Sequence, residues 1–316
     1  MSYDENQPPT RPHRTGRGNL AIAIAALVPT ALAGWLVWKA MNGPEDNEPP
    51  KALPTPSKQT TAGKPGPAPS PSPSASSPAA SSTSLPPKGS ASGPLAGKVV
   101  VVDPGHNPGN FRHTSEINEL VDIGTNRKEC DTTGTATNDG YTEAAFTFDV
   151  SQRLRTLLEK QGATVEFTHT NDRPFGPCVD ERARIGNKAE ADAVVSVHAD
   201  GSGVGNRGFH VILPALVKGG AADTAKIVAP SRDLGERIAG KFVRATGSAP
   251  SNYLGGGTGL DVREDLGGLN LSTVPKVFIE CGNMRDPKDA ALLKSSSWRQ
   301  KAAQGIADGI GSYLQR

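Results

Sequence analysis

The chain has 316 residues, with 27 prolines and 36 glycines, and its 34 basic and 32 acidic side chains leave a formal net charge of +2. A balance so close to neutral gives no electrostatic ground for a nucleic-acid surface, and three cysteines are too few for a disulfide-dense scaffold. Roughly half the prolines fall between Gly43 and Pro94, so the excess of Pro and Gly is local and marks a linker, not a fibrous or wholly disordered chain.

In chain order, residues 1–19 bring Arg11, Arg14 and Arg17 ahead of LAIAIAALVPTALAGWLVW, the 19 uncharged residues 20–38. A helix of that length, at about 1.5 Å per residue, approaches the ~30 Å hydrocarbon core of a bilayer. Acidic Glu45, Asp46 and Glu48 follow it, so the positive-inside rule places residues 1–19 in the cytoplasm and the rest outside. Trp35 and Trp38 stand where an interfacial aromatic belt belongs. The competing reading is a cleaved signal peptide with Ala31-Leu32-Ala33 as the cleavage site, and the apolar run continuing to Trp38 favours the uncleaved anchor. Residues 39–95 contain PGPAPSPSPSASSPAASSTSLPPKG, which cannot bury enough surface to offset its chain entropy and is expected to be disordered with polyproline II character. Extended at about 3.1 Å per residue, such a tether reaches on the order of 160 Å; a merely solubilising linker fits the composition equally well.

Residues 96–316 are enough for one substantial core. Four short β-branched runs lack polar alternation, namely Lys98–Pro104, Ala163–Thr170, Ala193–Ala199 and Lys276–Cys281, as expected of strands buried on both faces. Between them lie helical stretches over Glu143–Lys160, Glu181–Ala191, Arg232–Ala245 and Trp298–Leu314. In the first, Phe146, Val150, Leu154, Leu157 and Leu158 recur at helical spacing. The pattern predicts a single three-layer α/β domain, its largely parallel sheet flanked by helices.

In such sheets, sites form at the carboxyl ends of the strands. Here those ends carry Asp103-Pro-Gly-His106, Ser196-Val-His198-Ala-Asp200 and Ile279-Glu280-Cys-Gly-Asn283, while Glu143 opens the first long helix. Two histidines and one carboxylate make a His₂Glu zinc site with a fourth position for water, and the other carboxylate then moves the proton. Spacing leaves open which glutamate does which. Asp103 is a cap or a partner for His106, and His113, His169 and His210 are read as structural.

The segments VVVDPGH, GYTEAAFTFDVSQRLRTLLEKQGATVEFTHT, RARIGNKAEADAVVSVHAD and VPKVFIECGN together resemble the zinc-dependent N-acetylmuramoyl-L-alanine amidases of the amidase_3 family over nearly all of 97–316. GPCVDERA, NRGFHV and DLGGLNLSTVP are similar to its actinobacterial wall-amidase branch. The resemblance implies zinc held by His106, Glu143 and His198, with Glu280 as catalytic acid/base. It also implies peptidoglycan as substrate, cut between the lactyl group of N-acetylmuramic acid and L-alanine. Arg263 and Asn283 flank the same edge and are candidates to contact the anionic stem peptide. The chain departs from many members of the family in the 33 residues from Asn107 to Asp139 and in Cys281-Gly282 after the catalytic glutamate.

Outside the membrane a cysteine pair oxidises. Cys130 and Cys178 lie outside the predicted elements, so they are the expected bridge, with Cys281 reduced and packed; a pairing with Cys281 requires the long loop to cover the site. The leading expectation is a membrane-anchored, monomeric zinc amidase acting in wall turnover or cell separation. A zinc peptidase or deacetylase on the same polymer is the alternative enzyme. A non-catalytic wall-binding regulator is the alternative outside enzymes, and it has no need of Glu280.

Overall fold

The computed structural model describes residues 92–316. The expected span 20–38 and nearly all of the linker lie outside them, and among the described residues no helix is long and apolar enough to cross a membrane. The main strands are β1 (Val99–Pro104), with β2 (Leu120–Asp122) and β3 (Arg127–Glu129) forming a small hairpin after the helical turn α1 (Thr114–Ile117). Then follow α2 (Glu143–Lys160), β4 (Thr164–Phe167), α3 (Val179–Lys188), β5 (Ala193–Asp200), β6 (His210–Pro214) and a second hairpin, β7 (Lys218–Gly219) with β8 (Ala222–Asp223). The chain closes with α4 (Val228–Thr246), β9 (Leu260–Arg263), α5 (Gly267–Asn270), β10 (Lys276–Asn283), α6 (Pro287–Lys294) and α7 (Ser296–Leu314).

Six strands form the main sheet in the order β4-β1-β5-β10-β6-β9. All neighbours are parallel except β10 and β6, so the sheet is mixed and largely parallel, as predicted. The four β-branched runs are its strands β1, β4, β5 and β10, while β6 and β9 extend it beyond what the sequence pattern announced. Helices α2, α4 and α7 cover one face. Val100, Val102, Val195, Val197, Val211, Leu213, Val277 and Ile279 meet Phe146, Leu154, Ile238, Phe242 and Ile306 there in the principal core. On the other face a smaller cluster of Val101, Ala191 and Val194, backed by Ile185 of α3, closes only the amino-terminal ends of the strands. Toward the carboxyl ends that face carries Asp103, Ser196 and His198 in place of apolar side chains.

Helix ends follow from local chemistry. Thr142 caps α2 by accepting from the Ala145 N–H, and Ser295 caps α7 by accepting from the Trp298 N–H. Helix α4 begins four residues earlier than its periodicity suggests, because Pro230 is tolerated in a first turn. The folded region also begins before residue 96. Leu95, assigned to the linker on sequence grounds, is fully buried in the core, and its N–H donates to Gln161 O at 2.9 Å.

Cys130 and Cys178 form the expected disulfide, and Cys281 is free and buried. The Val179 N–H donates to Cys130 O at 2.7 Å, so the bridge fastens the long loop to the start of α3. Replacing both cysteines by serine is expected to lower stability by roughly 4 kcal/mol on the chain-entropy relation for the loop it closes, read as a lower denaturation midpoint.

Candidate active site

Three strand ends and one helix start converge. β1 stops at Pro104 because the next residue must turn: the Gly105 N–H donates to Val197 O at 3.0 Å, and His106 takes a left-handed φ of 61°. That turn swings the His106 ring back over the sheet edge, where it meets His198 edge-on with ring centroids 5.0 Å apart. Glu143 is the first residue of α2, buried between them. One of its oxygens lies 3.1 Å from His106 Nε2 and the other 3.0 Å from His198 Nδ1. The Thr135 and Ala199 N–H groups donate to the same two oxygens.

The outer hydrogen bonds of the two imidazoles fix their tautomers. Thr132 O can only accept, so His106 Nδ1 carries a proton, at 3.1 Å, and Nε2 is the nitrogen left for a metal. Ser196 Oγ donates to Asp103 Oδ2 at 2.8 Å and therefore accepts from His198 Nε2–H at 3.2 Å, leaving Nδ1 free. The other nitrogen of each ring points at the Glu143 carboxylate, and the three residues' ligand atoms all lie within 4.8 Å of one another. A neutral imidazole oriented by a second hydrogen bond is the form that binds a metal, so this donor set fits zinc. Burial works against the charged form of Glu143; with protons in place of a metal on the ring nitrogens that face it, the charge of His106 and hydrogen bonds from both rings outweigh burial and hold the carboxyl below its usual range.

Beneath the histidines lies a buried ionic cluster. Arg182 of α3 donates to Asp103 Oδ1 at 2.7 Å, Asp131 Oδ2 at 2.9 Å and the carbonyls of Pro104 and Pro177. Lys276 adds a second cation 3.4 Å from Asp103. Burial alone would raise both aspartates, but the adjacent cations hold them below the ordinary carboxylate range. Asp103 serves His198 through Ser196, while His106 is flanked by Asp131 at 3.5 Å. Neither Arg182 nor Asp131 carries a local sequence signal for its place here.

Glu280 faces the donor set from β10, level with His198 on one side and His210 on the other. Its Oε2 is buried without a hydrogen-bond partner. Burial, then repulsion by Glu143 and Asp200, pushes its carboxyl well above the usual value. His210 is buried, as a structural histidine should be, and burial lowers its pKa. The open cleft in front, about 300 Å³, is lined by His106, Glu143, His198, Arg263, Phe278 and Glu280. Arg263 thus lies on the cleft wall, held by Asp265 through two hydrogen bonds of 2.8 and 2.7 Å. Asn283 does not. Its side chain is fully buried and its amide donates to the carbonyls of Ser202, Gly203 and Asn206, so it shapes the loop after β5 and is not offered to a ligand.

Gly105 leaves room for the His198 ring: a Cβ there would lie 2.4 Å from Cε1. Gly105→Ala is expected to displace that ring and weaken zinc binding by about 10–100-fold, as lost outer support of a ligand does, measured by competition with a chelator.

A His–Glu–His donor set with an opposed carboxylate, at the carboxyl ends of largely parallel strands, is the arrangement of a metal-dependent hydrolase. The family model of N-acetylmuramoyl-L-alanine amidases, Amidase_3, matches residues 100–312. An N-acetylmuramoyl-L-alanine amidase of Mycobacterium tuberculosis is 39% identical over 243 residues, covering 75% of this chain and 92% of the relative. The crystal structures of the amidase Ami1 from Mycobacterium smegmatis and from Mycobacterium abscessus each superpose with a TM-score of 0.64 at 40% identity. Each covers 70% of this chain, and 98% and 100% of theirs respectively. The chain belongs to the Amidase_3 family of N-acetylmuramoyl-L-alanine amidases, and by that membership its enzymatic class is a peptidoglycan amidase.

Proposed function

We propose that the protein is a zinc amidase that cleaves the bond between the lactyl carbonyl of N-acetylmuramic acid and the L-alanine of the stem peptide, on the outer side of the membrane. The observation that carries this reading is the convergence of His106 Nε2, His198 Nδ1 and the Glu143 carboxylate opposite Glu280 in one cleft. His106, Glu143 and His198 would hold the zinc, which when bound would supply Lewis-acid polarisation of the amide carbonyl and acidify a water near neutral pH. Glu280 accepts that water's proton and returns it to the departing alanine nitrogen. Its partnerless Oε2 is available for a proton on either leg of that transfer. Arg263, fixed by Asp265 on the cleft wall, faces the anionic stem peptide. The apolar segment 20–38 anchors the chain, and the Pro/Ser-rich segment after it carries the domain into the wall, where amidase action serves turnover or cell separation.

The test is product identification by mass spectrometry after the chain acts on purified peptidoglycan and muramyl peptides, with chelator and with zinc restored. Free stem peptides beginning with L-alanine, lost with chelator and regained with zinc, are expected. Release of acetate or of shorter peptides instead would establish the deacetylase or peptidase, and binding without any product would establish the regulator.

A further inference from the structure

The long segment between β1 and α2 presents one feature that amide hydrolysis does not use. Phe111 is 62% exposed, and it is the one aromatic among the strongly exposed apolar side chains of the described residues. A lone exposed side chain is ordinary, but this one sits on rigid backbone. Asn107 and Asn110, both buried, precede it in the chain. Asn107 donates to Arg173 O and Gly176 O, while Asn110 donates to Asp131 Oδ2 and Thr132 O and accepts from the Gly176 N–H. Gly109 lies so close to Pro174 that a Cβ would fall 2.0 Å from its carbonyl oxygen. The buried anchors just before it therefore fix the backbone that carries the exposed Phe111 ring.

The ring borders a separate cavity of about 260 Å³, whose other walls include Pro108, Thr133, Thr135 and Thr142. Gly134 and Thr135 line this cavity and the catalytic cleft alike, so the two are separated by one strap of chain. That strap is thin by necessity. A Cβ on Gly134 would lie 2.7 Å from the His106 ring and 2.9 Å from Glu143.

We propose that Phe111 and this cavity form a subsite for a pyranose of the glycan strand, next to the muramoyl residue whose amide is cut. The inference rests on the amidase reading and deepens it. The Arg112 guanidinium lies 4.8 Å from the centroid of the ring, while the cavity lining itself carries threonine hydroxyls and no charged side chain. An exposed aromatic ring beside hydroxyls matches a sugar, which offers one face of C–H bonds and a rim of hydroxyl groups. A stem peptide, with its carboxylates, would call for cations on the cavity lining, where none of the described residues supplies one. Geometry agrees: the lactyl ether leaves only a few bonds between the reacting carbonyl and the sugar ring, so the strand must leave the cleft close to the ligands, and the strap is a border of that cleft.

The full-length chain, purified with detergent present, is compared with Phe111→Ala and Phe111→Trp. One readout is the ratio of kcat/KM on a glycan-chain substrate to that on a muramyl dipeptide with a single sugar. The other is saturation-transfer NMR with a peptide-free GlcNAc–MurNAc tetrasaccharide, which needs no turnover. The ratio is expected to fall about tenfold in the alanine variant, the scale of one lost aromatic stacking surface, with loss of saturation transfer and recovery of both in Phe111→Trp. An unchanged ratio, or saturation transfer absent from the wild type or preserved in Phe111→Ala, overturns the subsite. If neither substrate is hydrolysed by the wild type the amidase reading fails, and the NMR result alone then decides the subsite.

Discussion

Glu280→Gln is expected to cut turnover by about 10²–10⁴-fold, the usual span for removing a general acid–base group, while zinc content stays at one per chain. Glutamine keeps the size of the side chain and sheds its ability to take and return a proton. Because Glu280 stands opposite the three ligands and is not among them, metal analysis on the same preparation separates loss of proton transfer from loss of the ion. His198→Ala provides the contrast, since zinc and activity should disappear together. Retention of activity within about tenfold in Glu280→Gln would exclude the proton-transfer role.

Arg182→Leu is expected to cost about 3–5 kcal/mol, the range for stranding buried charges by removing their partner. It leaves Asp103 and Asp131 buried, with Lys276 as the nearest remaining cation to Asp103 at 3.4 Å. Arg182→Lys should recover only part of the loss, because one ammonium cannot reach two carboxylates and two carbonyls from the guanidinium's positions. Urea denaturation gives the cost, and its pH dependence gives the sign. Asp103 and Asp131 are both held below the usual carboxylate range. Their contribution is therefore complete above the unfolded value of about 3.9 and is lost as pH falls through the depressed folded values. Without Arg182 the folded aspartates rise, so the acid limb of the stability curve should move to higher pH. A variant as stable as the wild type, with an unmoved acid limb, would show the cluster to be energetically idle.

The legible parts of the molecule were those with a local signature. β1, β5 and β10 are sandwiched between layers, so they read as unbroken apolar runs, and their carboxyl ends placed His106, His198 and Glu280 at one edge. β6 was harder to read. HVILP is fully buried, but nothing in its composition shows that it runs antiparallel beside β10 and sets His210 opposite Glu280. β9 is a four-residue edge strand with little burial, too short to leave a period. Arg182 looked like one more charge in VDERARIGNK, because its partners lie 79 and 51 residues away and a pairing at that distance leaves no local mark. Asn283 failed for the opposite reason: its place at the strand end was right, and only the fold shows its amide turned inward onto three loop carbonyls.

The strand order has a consequence for the timing of activity. β10, near the end of the chain, is not an edge strand; it slots between β5 and β6, both made long before it. A nascent chain that stops short of it holds His106, Glu143 and His198 yet lacks the centre of its sheet and Glu280, the proposed proton carrier. Such a polypeptide has a gap where two strands await a third, and it can neither close its core nor cut a wall peptide. Insertion of β10 thus closes the centre of the sheet and brings Glu280 opposite the three candidate ligands in one event, before α7 is added to the core.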